Sequence, residues 1–276
     1  MDSFSNDNSG KKFCLITGSG NGLGFELAKV FAQNGYPLVL IDKDEDGLKN
    51  VEKTLKLKYD TSIITITQDL CKKNAALKIF KILEELEIKP EILINNAGFG
   101  YFGFFAESKW QRQEDLIRLS VLANTHLISL LVPDMISNKH GRILNVASLA
   151  AFLPGPLMSV YHASKAFILS FSQALSNELK GTGVKVTVLC PGMMDTKFQK
   201  TNNNESPKLK WTVGSPEKVA TYCYKKMMKD KVVVIPGVMN KIAAYLPRIL
   251  PRNFATFIVR KIQENNRVNF KPSTSK

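Results

Sequence analysis

Short apolar runs alternate along the chain with longer segments in which apolar residues recur at helical spacing. This alternation is typical of βαβ units around a parallel sheet, and continuously apolar runs suit strands covered on both faces. We predict strands at Phe13–Thr17, Leu38–Ile41, Ser62–Ile66, Ile92–Ile94, Ile143–Val146, Val184–Leu189 and Val232–Ile235. We predict helices at Leu23–Asn34, Glu45–Lys58, Asn74–Leu86, Trp110–Ser137, Val160–Lys180 and Pro216–Met228. The pattern predicts an α/β fold: one doubly wound domain over residues 12–236.

Residues 237–271 are predicted to form a helical extension, in which Phe257, Ile258 and Ile262 recur at helical spacing among basic residues. A basic amphipathic helix can lie on an anionic membrane surface. Such a segment packs more often over its own domain or a neighbouring subunit, and we expect packing here. Residues 1–11 and 272–276 are expected to be disordered, and Lys200–Trp211 to form a mobile loop.

The net charge of +14 is concentrated at one end of the chain. Residues 197–276 hold 17 Lys and Arg against 4 Asp and Glu, whereas the first 196 residues hold 21 against 20. The charge does not follow the groove or stripe typical of a nucleic-acid-binding protein. A solvated lysine-rich surface is the favoured interpretation; an anionic partner, either a phosphate-bearing carrier or a membrane face, is the alternative.

The four cysteines form no CxxC pair and have no histidine cluster near them. Cys14 and Cys190 lie in strand-like runs, so we expect buried thiols rather than disulfides or metal ligands. The polar N-terminus lacks the apolar segment of a signal peptide. No run approaches the roughly 18 apolar residues of a membrane span. A cytoplasmic protein without a metal site is therefore expected.

A glycine-rich turn separates the first predicted strand from the first predicted helix. The GxGxxG spacing fails, because Leu23 stands where the third glycine would be, and GxxxGxG remains at Gly18, Gly22 and Gly24. Glycines let the backbone approach a pyrophosphate, whose charge then faces the helix N-terminus. Flexible loops also collect glycines, but this position predicts a dinucleotide site.

The end of the second strand indicates which dinucleotide is bound. Asp42 stands about 20 residues beyond the glycine turn, where a carboxylate accepts hydrogen bonds from ribose hydroxyls and repels a 2′-phosphate. Asn21 adds no positive charge for that phosphate, although Lys43 could bind it. The alternative is that Asp42 is a surface aspartate that binds no ligand. The residues favour NAD(H) over NADP(H).

Tyr161 and Lys165 are four residues apart and therefore share one face of a helix. A phenol with a pKa near ~10 is a poor base at neutral pH, and a nearby ammonium favours the phenolate. Hydride transfer needs such a group, because the substrate oxygen gains or loses a proton as the hydride moves. A YxxxK pattern alone is common by chance.

Three further motifs stand beside the glycine turn and the YxxxK pair. The run Asn95-Asn96-Ala97-Gly98 follows the fourth strand, Ser148 precedes Tyr161 by thirteen residues, and Pro191-Gly192 follows the sixth strand. In this order and spacing, residues 12–236 resemble the short-chain dehydrogenase/reductase family. The resemblance implies a Rossmann-like fold, a nicotinamide cofactor and interconversion of alcohols and carbonyls.

The resemblance also implies a role for each catalytic position. Tyr161 would be the acid/base, Lys165 would lower its pKa and hold the nicotinamide ribose, and Ser148 would orient the substrate oxygen. Asn124 would anchor a water that relays protons through Lys165. Taken alone, Ser148 could be a turn serine and Asn124 a helix-surface residue. His162, His126 and His140 are interpreted as incidental rather than catalytic.

The cofactor contacts follow from the same resemblance. Asp69 would contact the adenine, Asn95 and Ala97 would act through backbone and packing, and Pro191-Gly192 and Thr196 would lie along the nicotinamide. The full set is Gly18, Ser19, Asn21, Gly22, Leu23, Gly24, Asp42, Lys43, Asp69, Leu70, Asn95, Ala97, Gly98, Tyr161, Lys165, Pro191, Gly192 and Thr196.

The segments expected beside the nicotinamide are apolar, and Phe99, Phe152 and Met193 join Ser148 as candidate substrate contacts. Core packing could explain about half of these apolar side chains. The remainder suggest an apolar ketone or secondary alcohol, such as an acyl chain or a steroid. The resemblance implies a homodimer or homotetramer formed through the two long helices.

Two other functions compete with hydride transfer. A cofactor-binding sensor or scaffold need not keep Ser148, Tyr161 and Lys165 together. An epimerase or dehydratase would use the same tyrosine and lysine but would need polar sugar contacts, which the aromatic run Phe99–Phe105 does not supply.

Overall fold

Seven parallel strands form one sheet with helices on both faces, in a computed structural model that describes residues 12–194, 214–248 and 250–265. The strands are β1 (Cys14–Thr17), β2 (Leu38–Asp42), β3 (Ile63–Thr67), β4 (Ile92–Asn95), β5 (Gly141–Val146), β6 (Val184–Leu189) and β7 (Val233–Val234). The helices are α1 (Gly22–Gln33), α2 (Glu45–Lys56), α3 (Ala75–Glu85), α4 (Trp110–Ile117), α5 (Asn124–Ser137), α6 (Ser159–Glu178), α7 (Pro216–Met227), α8 (Val238–Tyr245) and α9 (Arg252–Asn265). Short 3₁₀ turns lie at Phe105–Glu107, Leu149–Phe152 and Leu246–Arg248.

The strand order is β3-β2-β1-β4-β5-β6-β7. Chain direction across the sheet therefore reverses between β1 and β4, which are hydrogen-bonded neighbours. In an open α/β sheet, ligands bind outside the carboxyl ends of the strands at such a switch point. The predicted Rossmann-like, doubly wound fold is confirmed, and the switch point lies beside the glycine turn that follows β1.

Two hydrophobic layers cover the sheet. Leu27 and Phe31 of α1 pack with Cys223 of α7 on one face. Ile79 of α3 and Leu127 of α5 pack on the other. All four residues of β1 are buried, which explains its continuously apolar sequence. Cys14, Cys190 and Cys223 are buried free thiols, so the expectation of buried thiols at Cys14 and Cys190 is confirmed.

The predicted helix Trp110–Ser137 is interrupted by a π-helical turn at Arg118–Ala123, which separates α4 from α5. By length and mean hydropathy this 28-residue stretch could cross a membrane, although polar residues interrupt its apolar runs. Leu116, Leu127 and Leu131 are nevertheless buried. A core helix passes the same test, and the stretch packs against α3, α6 and the sheet.

The predicted C-terminal extension contains α8 and α9. Small side chains face the domain, with Ala244, Ala255 and Val259 buried. Phe257, Ile258 and Ile262 are exposed in the single chain, and the expected packing of the segment over the domain or a neighbouring subunit stays a prediction. The expectations for residues 1–11, 200–211 and 272–276 lie outside the described residues.

Candidate active site

The glycine turn forms a tight backbone cradle at the switch point. Gly18 adopts φ +66°, and a Cβ there would lie 2.7 Å from the Ala97 Cα. A Cβ on Gly24 would overlap the carbonyl oxygen of Gly18. Helix α1 begins at Gly22, and the side chain of Asn21 does not cap it. The N-terminal amides of α1 therefore face a cradle in which side chains do not fit, and this geometry suits a pyrophosphate.

Thr17 and Asn96 tie this cradle to the end of β4. The Thr17 Oγ1 accepts hydrogen bonds from the Asn96 and Ala97 amides, both at 3.0 Å. The Asn96 Nδ2 donates to the carbonyl oxygens of Thr17 at 3.0 Å and Gly18 at 2.9 Å. These bonds set the spacing between the glycine turn and the loop after β4.

Sequence reasoning missed both Thr17 and Asn96, although it included their neighbours. Their positions, directly before Gly18 and between Asn95 and Ala97, were the available signal. The tertiary contact across β1 and β4 was needed to show that their side chains act on each other's backbone.

Asp42 faces the cradle from the end of β2. Its Oδ2 accepts from the Gly20 amide at 2.8 Å, and its Oδ1 accepts from the Asp44 amide at 3.1 Å. Lys43 is exposed beside it. Ser19 is fully buried, and its hydroxyl bonds to a β2 carbonyl oxygen at 3.3 Å. The carboxylate thus occupies the position where a ribose would meet the turn.

The remaining predicted cofactor contacts on this side of the switch point follow β1 and β3. Asp69 follows β3, and its Oδ1 accepts from the Cys71 amide at 2.9 Å. Leu70 and Leu23 are buried. Leu23 packs in the core between α1 and the sheet. Thr196, predicted along the nicotinamide, lies outside the described residues.

Ser148, Tyr161 and Lys165 come together at the carboxyl end of β5. Ser148 precedes a 3₁₀ turn, and its Oγ accepts from the Ala150 amide at 3.1 Å. Tyr161 and Lys165 lie in the first two turns of α6, and both are buried. The Tyr161 hydroxyl is hydrogen-bonded to Ser148. The Lys165 Nζ donates to the Val146 carbonyl oxygen at 2.9 Å.

Burial dominates the titration of this group. Desolvation raises the pKa of Tyr161, and the hydrogen bond to Ser148 lowers it by a smaller amount. Desolvation also lowers the pKa of Lys165 to about 8. That Lys165 lowers the pKa of the phenol stays a prediction. The ammonium bonds to the Val146 carbonyl and lies 5.8 Å from the Tyr161 ring centroid.

Asn124 is the first residue of α5, directly after the π turn. Its Nδ2 donates to the Ser120 carbonyl oxygen at 3.1 Å. Its Oδ1 and the Ser120 Oγ are buried without a hydrogen-bond partner among the described residues. Buried polar atoms are normally paired with protein or ordered water, and π turns occur often at functional sites. The buried, unpaired amide oxygen fits the predicted water-anchoring role.

A chain of buried amide and hydroxyl groups connects the sheet to α6. The Asn95 Nδ2 donates to the Asn145 Oδ1 at 3.0 Å, and the Asn145 Nδ2 donates to the Ser172 Oγ at 2.9 Å. The Ser172 hydroxyl then donates to the Ile168 carbonyl oxygen at 2.6 Å. The chain holds the helix that carries Tyr161 against β4 and β5, and sequence reasoning missed Asn145 and Ser172.

The loop after β6 and the turn after Ser148 line one side of the site. The Pro191 carbonyl oxygen accepts from the Leu149 amide at 2.9 Å. Gly192 lies against Asn240 of α8, where an added Cβ would approach the amide nitrogen to 2.9 Å. The Met193 carbonyl oxygen accepts from the Gly214 amide at 2.8 Å, and its side chain is half-buried.

The predicted aromatic substrate contacts have different surroundings. Phe152 packs near Tyr245 of α8, with 6.2 Å between ring centroids. Phe99 packs against the core, and the Arg112 guanidinium lies 4.7 Å above its ring. Gly98, directly before Phe99, approaches the catalytic lysine, since an added Cβ would lie 3.5 Å from the Lys165 Nζ.

His162 anchors the segment between Ser148 and α6. Its Nδ1 lies 2.8 Å from the Leu153 carbonyl oxygen, and burial lowers its pKa. His126 and His140 are exposed. The ring of His162 is therefore a structural support of the site, and the expectation that it is not catalytic stays a prediction.

The cradle, the carboxylate at the end of β2 and the buried tyrosine and lysine all lie at the carboxyl edge of the sheet around the switch point. This is the arrangement of a dinucleotide-dependent oxidoreductase. A family model described as short chain dehydrogenase matches residues 12–207. The chain belongs to the short-chain dehydrogenase/reductase family.

Curated relatives give the same placement. The chain is 32% identical over 243 residues to a very-long-chain 3-oxoacyl-CoA reductase of Rattus norvegicus, covering 86% of this chain and 76% of that one. It is 32% identical over 254 residues to estradiol 17-beta-dehydrogenase 11 of Pongo abelii, covering 90% and 82%. The chain is also 34% identical over 194 residues to a very-long-chain 3-oxoacyl-CoA reductase of Phaeosphaeria nodorum. That match covers 68% of this chain but only 56% of the length of the relative.

A solved structure shares the fold. The short-chain dehydrogenase from Sphingobium yanoikuyae in complex with NADPH superposes with a TM-score of 0.77 at 26% identity, covering 87% of this chain and 97% of that one.

Proposed function

We propose that this protein transfers a hydride between a nicotinamide dinucleotide and an apolar ketone or secondary alcohol. The observation that carries the proposal is the buried hydrogen bond between Ser148 and Tyr161, with Lys165 one helical turn further along α6. A cofactor-binding scaffold does not require an acid/base hydroxyl paired with a second hydroxyl. Hydride transfer to a carbonyl does require one.

When bound, the dinucleotide supplies or accepts the hydride. The residues of this chain handle the accompanying proton. Because the pKa of Tyr161 is raised, its hydroxyl stays protonated at neutral pH and can donate to the substrate oxygen during reduction. Ser148 holds that hydroxyl and is placed to share the same oxygen. Oxidation requires Tyr161 to lose its proton before it can accept one from the alcohol. We therefore expect the rate of alcohol oxidation to increase relative to the rate of ketone reduction as pH rises.

An apolar substrate is supported by the residues around the site and by the names of the relatives. Phe152 and Met193 lie on the loops beside Ser148 and Pro191. The relatives are named for very-long-chain 3-oxoacyl-CoA and for estradiol. We propose a fatty acyl or steroid-like ketone or alcohol.

Replacement of the catalytic phenol tests the proposed reaction. Tyr161→Phe keeps the ring but removes the proton donor, so turnover of an apolar ketone should fall at least about a hundredfold. Dinucleotide affinity, measured by fluorescence titration, should change little. Tyr59→Phe, a half-buried tyrosine on the far side of the sheet from this group, is the matched control. Near-normal turnover in Tyr161→Phe would show that Tyr161 is not the acid/base of the reaction.

For the cofactor we propose a preference for NAD(H). The Asp42 carboxylate, bonded to the Gly20 amide, stands where a 2′-phosphate would place a second negative charge. The solved relative named above was determined with NADPH. The preference therefore depends on Asp42 and not on the family.

Comparison of kcat/KM for NADH and NADPH tests this preference. Asp42→Ser removes the charge but keeps an acceptor for the Gly20 amide, so the NADH-to-NADPH ratio should fall about tenfold or more. Asp46→Ser removes an exposed carboxylate on α2 and should leave the ratio unchanged. A wild-type preference for NADPH of tenfold or more would overturn the proposal. The homodimeric or homotetrameric state and the cytoplasmic location stay predictions.

A further inference from the structure

Helices α8 and α9 turn their large apolar side chains outward and their small ones inward. The residues facing the domain are Ala244, Ala255 and Val259, which are 1%, 4% and 8% exposed. Large apolar residues of both helices face solvent, and six of them, each between 44% and 72% exposed, are taken together: Val238, Met239, Ile242, Phe254, Phe257 and Ile262. We call these six the apolar face. Several large apolar side chains left exposed on two consecutive helices suggest an interaction site.

The apolar face lies beside the mouth of the candidate active site. On the α8 side, Tyr245 contacts Phe152, which is four residues beyond Ser148. On the α9 side, the Arg260 guanidinium lies 5.8 Å from the ring of Phe104, in the loop after β4. Phe105 and Trp110 of that same region are 58% and 63% exposed. Exposed aromatic and aliphatic groups thus continue around the mouth.

The charge of this region has one sign. Residues 236–265 hold five Lys and Arg against a single acidic residue, Glu264. Glu264 is already paired with Arg260 at 2.8 Å and lies 3.8 Å from Lys261. Lys241 and Arg252 are exposed beside the apolar residues. An apolar face flanked by basic residues is complementary to a bilayer with anionic headgroups.

We propose that the apolar face docks on an anionic lipid bilayer, with α8 and α9 lying flat in the headgroup region and the mouth of the site turned toward the lipid. A second copy of the chain fits the charge less well. A two-fold interface would place the same face, with its surplus of basic residues, against itself. The proposal concerns where the protein binds and does not depend on the reaction proposed above.

Vesicle co-sedimentation of the full chain, without substrate or cofactor, tests the proposal. Vesicles of phosphatidylcholine with 30% phosphatidylserine should retain the protein at least about tenfold better than pure phosphatidylcholine, since each basic residue near an anionic surface strengthens binding about fivefold. High salt should weaken this retention. The double variant Phe254→Ser/Phe257→Ser should lose it at least tenfold while keeping its circular dichroism spectrum and its turnover of a water-soluble ketone.

A matched control replaces an exposed apolar residue elsewhere. Leu57, 77% exposed at the end of α2, lies outside the apolar face, and Leu57→Ser should bind vesicles as the wild type does. Retention that is equal on both vesicle types, absent from both, or unchanged by the double variant would overturn the proposal. Self-association that the double variant abolishes, without vesicle binding, would show the face to be an interface between copies and would also overturn it.

Discussion

Lys165 is a buried ammonium whose only hydrogen bond to protein in the described structure is the one it donates to the Val146 carbonyl oxygen. Burial of a cation is unfavourable, and it lowers the pKa of Lys165 to about 8. A side chain kept at such a cost is characteristic of a site whose chemistry needs the charge. At the residue scale, function and stability should therefore oppose each other at this position.

Lys165→Met should make the protein more stable and inactive. The pKa shift corresponds to an upper limit of about 3 kcal/mol at about 1.36 kcal/mol per pH unit. Loss of the hydrogen bond to the Val146 carbonyl reduces this gain in the free energy of unfolding by about 1 kcal/mol or more. We expect a net gain of about 1–2 kcal/mol in the free energy of unfolding at pH 7, measured by urea denaturation. The exposed Lys185→Met should change it by less than about 0.5 kcal/mol.

The pH dependence of this gain gives a second check. Because the folded-state pKa lies below the unfolded one, the unfolded chain binds more protons between pH 8 and 10.5. The wild type should therefore become more stable relative to Lys165→Met as pH rises through that window. A variant that is less stable than wild type at pH 7 would contradict the assignment of a costly buried charge.

At the scale of elements, the segment between Ser148 and α6 forms one wall of the site and is held at three points. Ser148 caps its 3₁₀ turn, the Leu149 amide bonds to the Pro191 carbonyl at 2.9 Å, and the His162 ring bonds to the Leu153 carbonyl at 2.8 Å. The histidine bond is the one made by a side chain from α6 itself. It couples the wall to the helix that carries Tyr161.

His162→Phe should loosen this wall. An unpaired carbonyl oxygen at Leu153 costs about 1–3 kcal/mol if it stays buried, so the segment should shift toward solvent. We expect KM for a bulky apolar ketone to rise at least about fivefold while kcat changes less than about twofold. His162→Gln, which can still donate, should restore part of the loss, and the exposed His126→Phe should have no effect. A comparable fall in kcat for a small ketone as well as for the bulky one would instead indicate general misfolding.

At the scale of the whole molecule, the crevice is assembled from strand ends that are far apart in sequence. Thr17 and Asp42 are the last residues of β1 and β2. Asn96, Ser148 and Pro191 lie just after the ends of β4, β5 and β6. The sheet places these ends side by side through its strand order. Ligand binding at such a site opposes unfolding of the whole sheet, because no fragment of the chain contains the site.

Dinucleotide binding should accordingly stabilise the complete fold. At a concentration about one hundred times Kd, the stabilisation is about 2.7 kcal/mol. For a domain of this size it should raise Tm by roughly 5–10 °C. Differential scanning fluorimetry measures this shift in Tm. Tyr161→Phe should show the same shift, because the phenol transfers a proton and is not part of the glycine turn that binds the dinucleotide. An unchanged Tm at saturating NADH and NADPH would contradict a dinucleotide site.

Local pattern was sufficient to predict most elements to within one or two residues. Val184–Leu189 was predicted with its observed bounds, since a strand buried on both faces is marked by apolar residues alone. The π turn in the long helix was not predicted, because the helical spacing of apolar residues continues through Arg118–Ala123. The sequence left open whether the apolar side chains of α8 and α9 pack or stay exposed, because spacing identifies an apolar face but not its direction.

The order of motifs along the chain by itself determined the fold class, the glycine cradle and the candidate group of Ser148, Tyr161 and Lys165, because these depend on residue type and short-range spacing. Tertiary structure alone decided three things: the links made by Thr17, Asn96 and Asn145, the burial that raises the pKa of Tyr161 and lowers that of Lys165, and the exposure of the apolar face. Each is a property of groups distant in sequence, and hydrogen bonding, desolvation and solvent exposure are set only when the sheet brings those groups together.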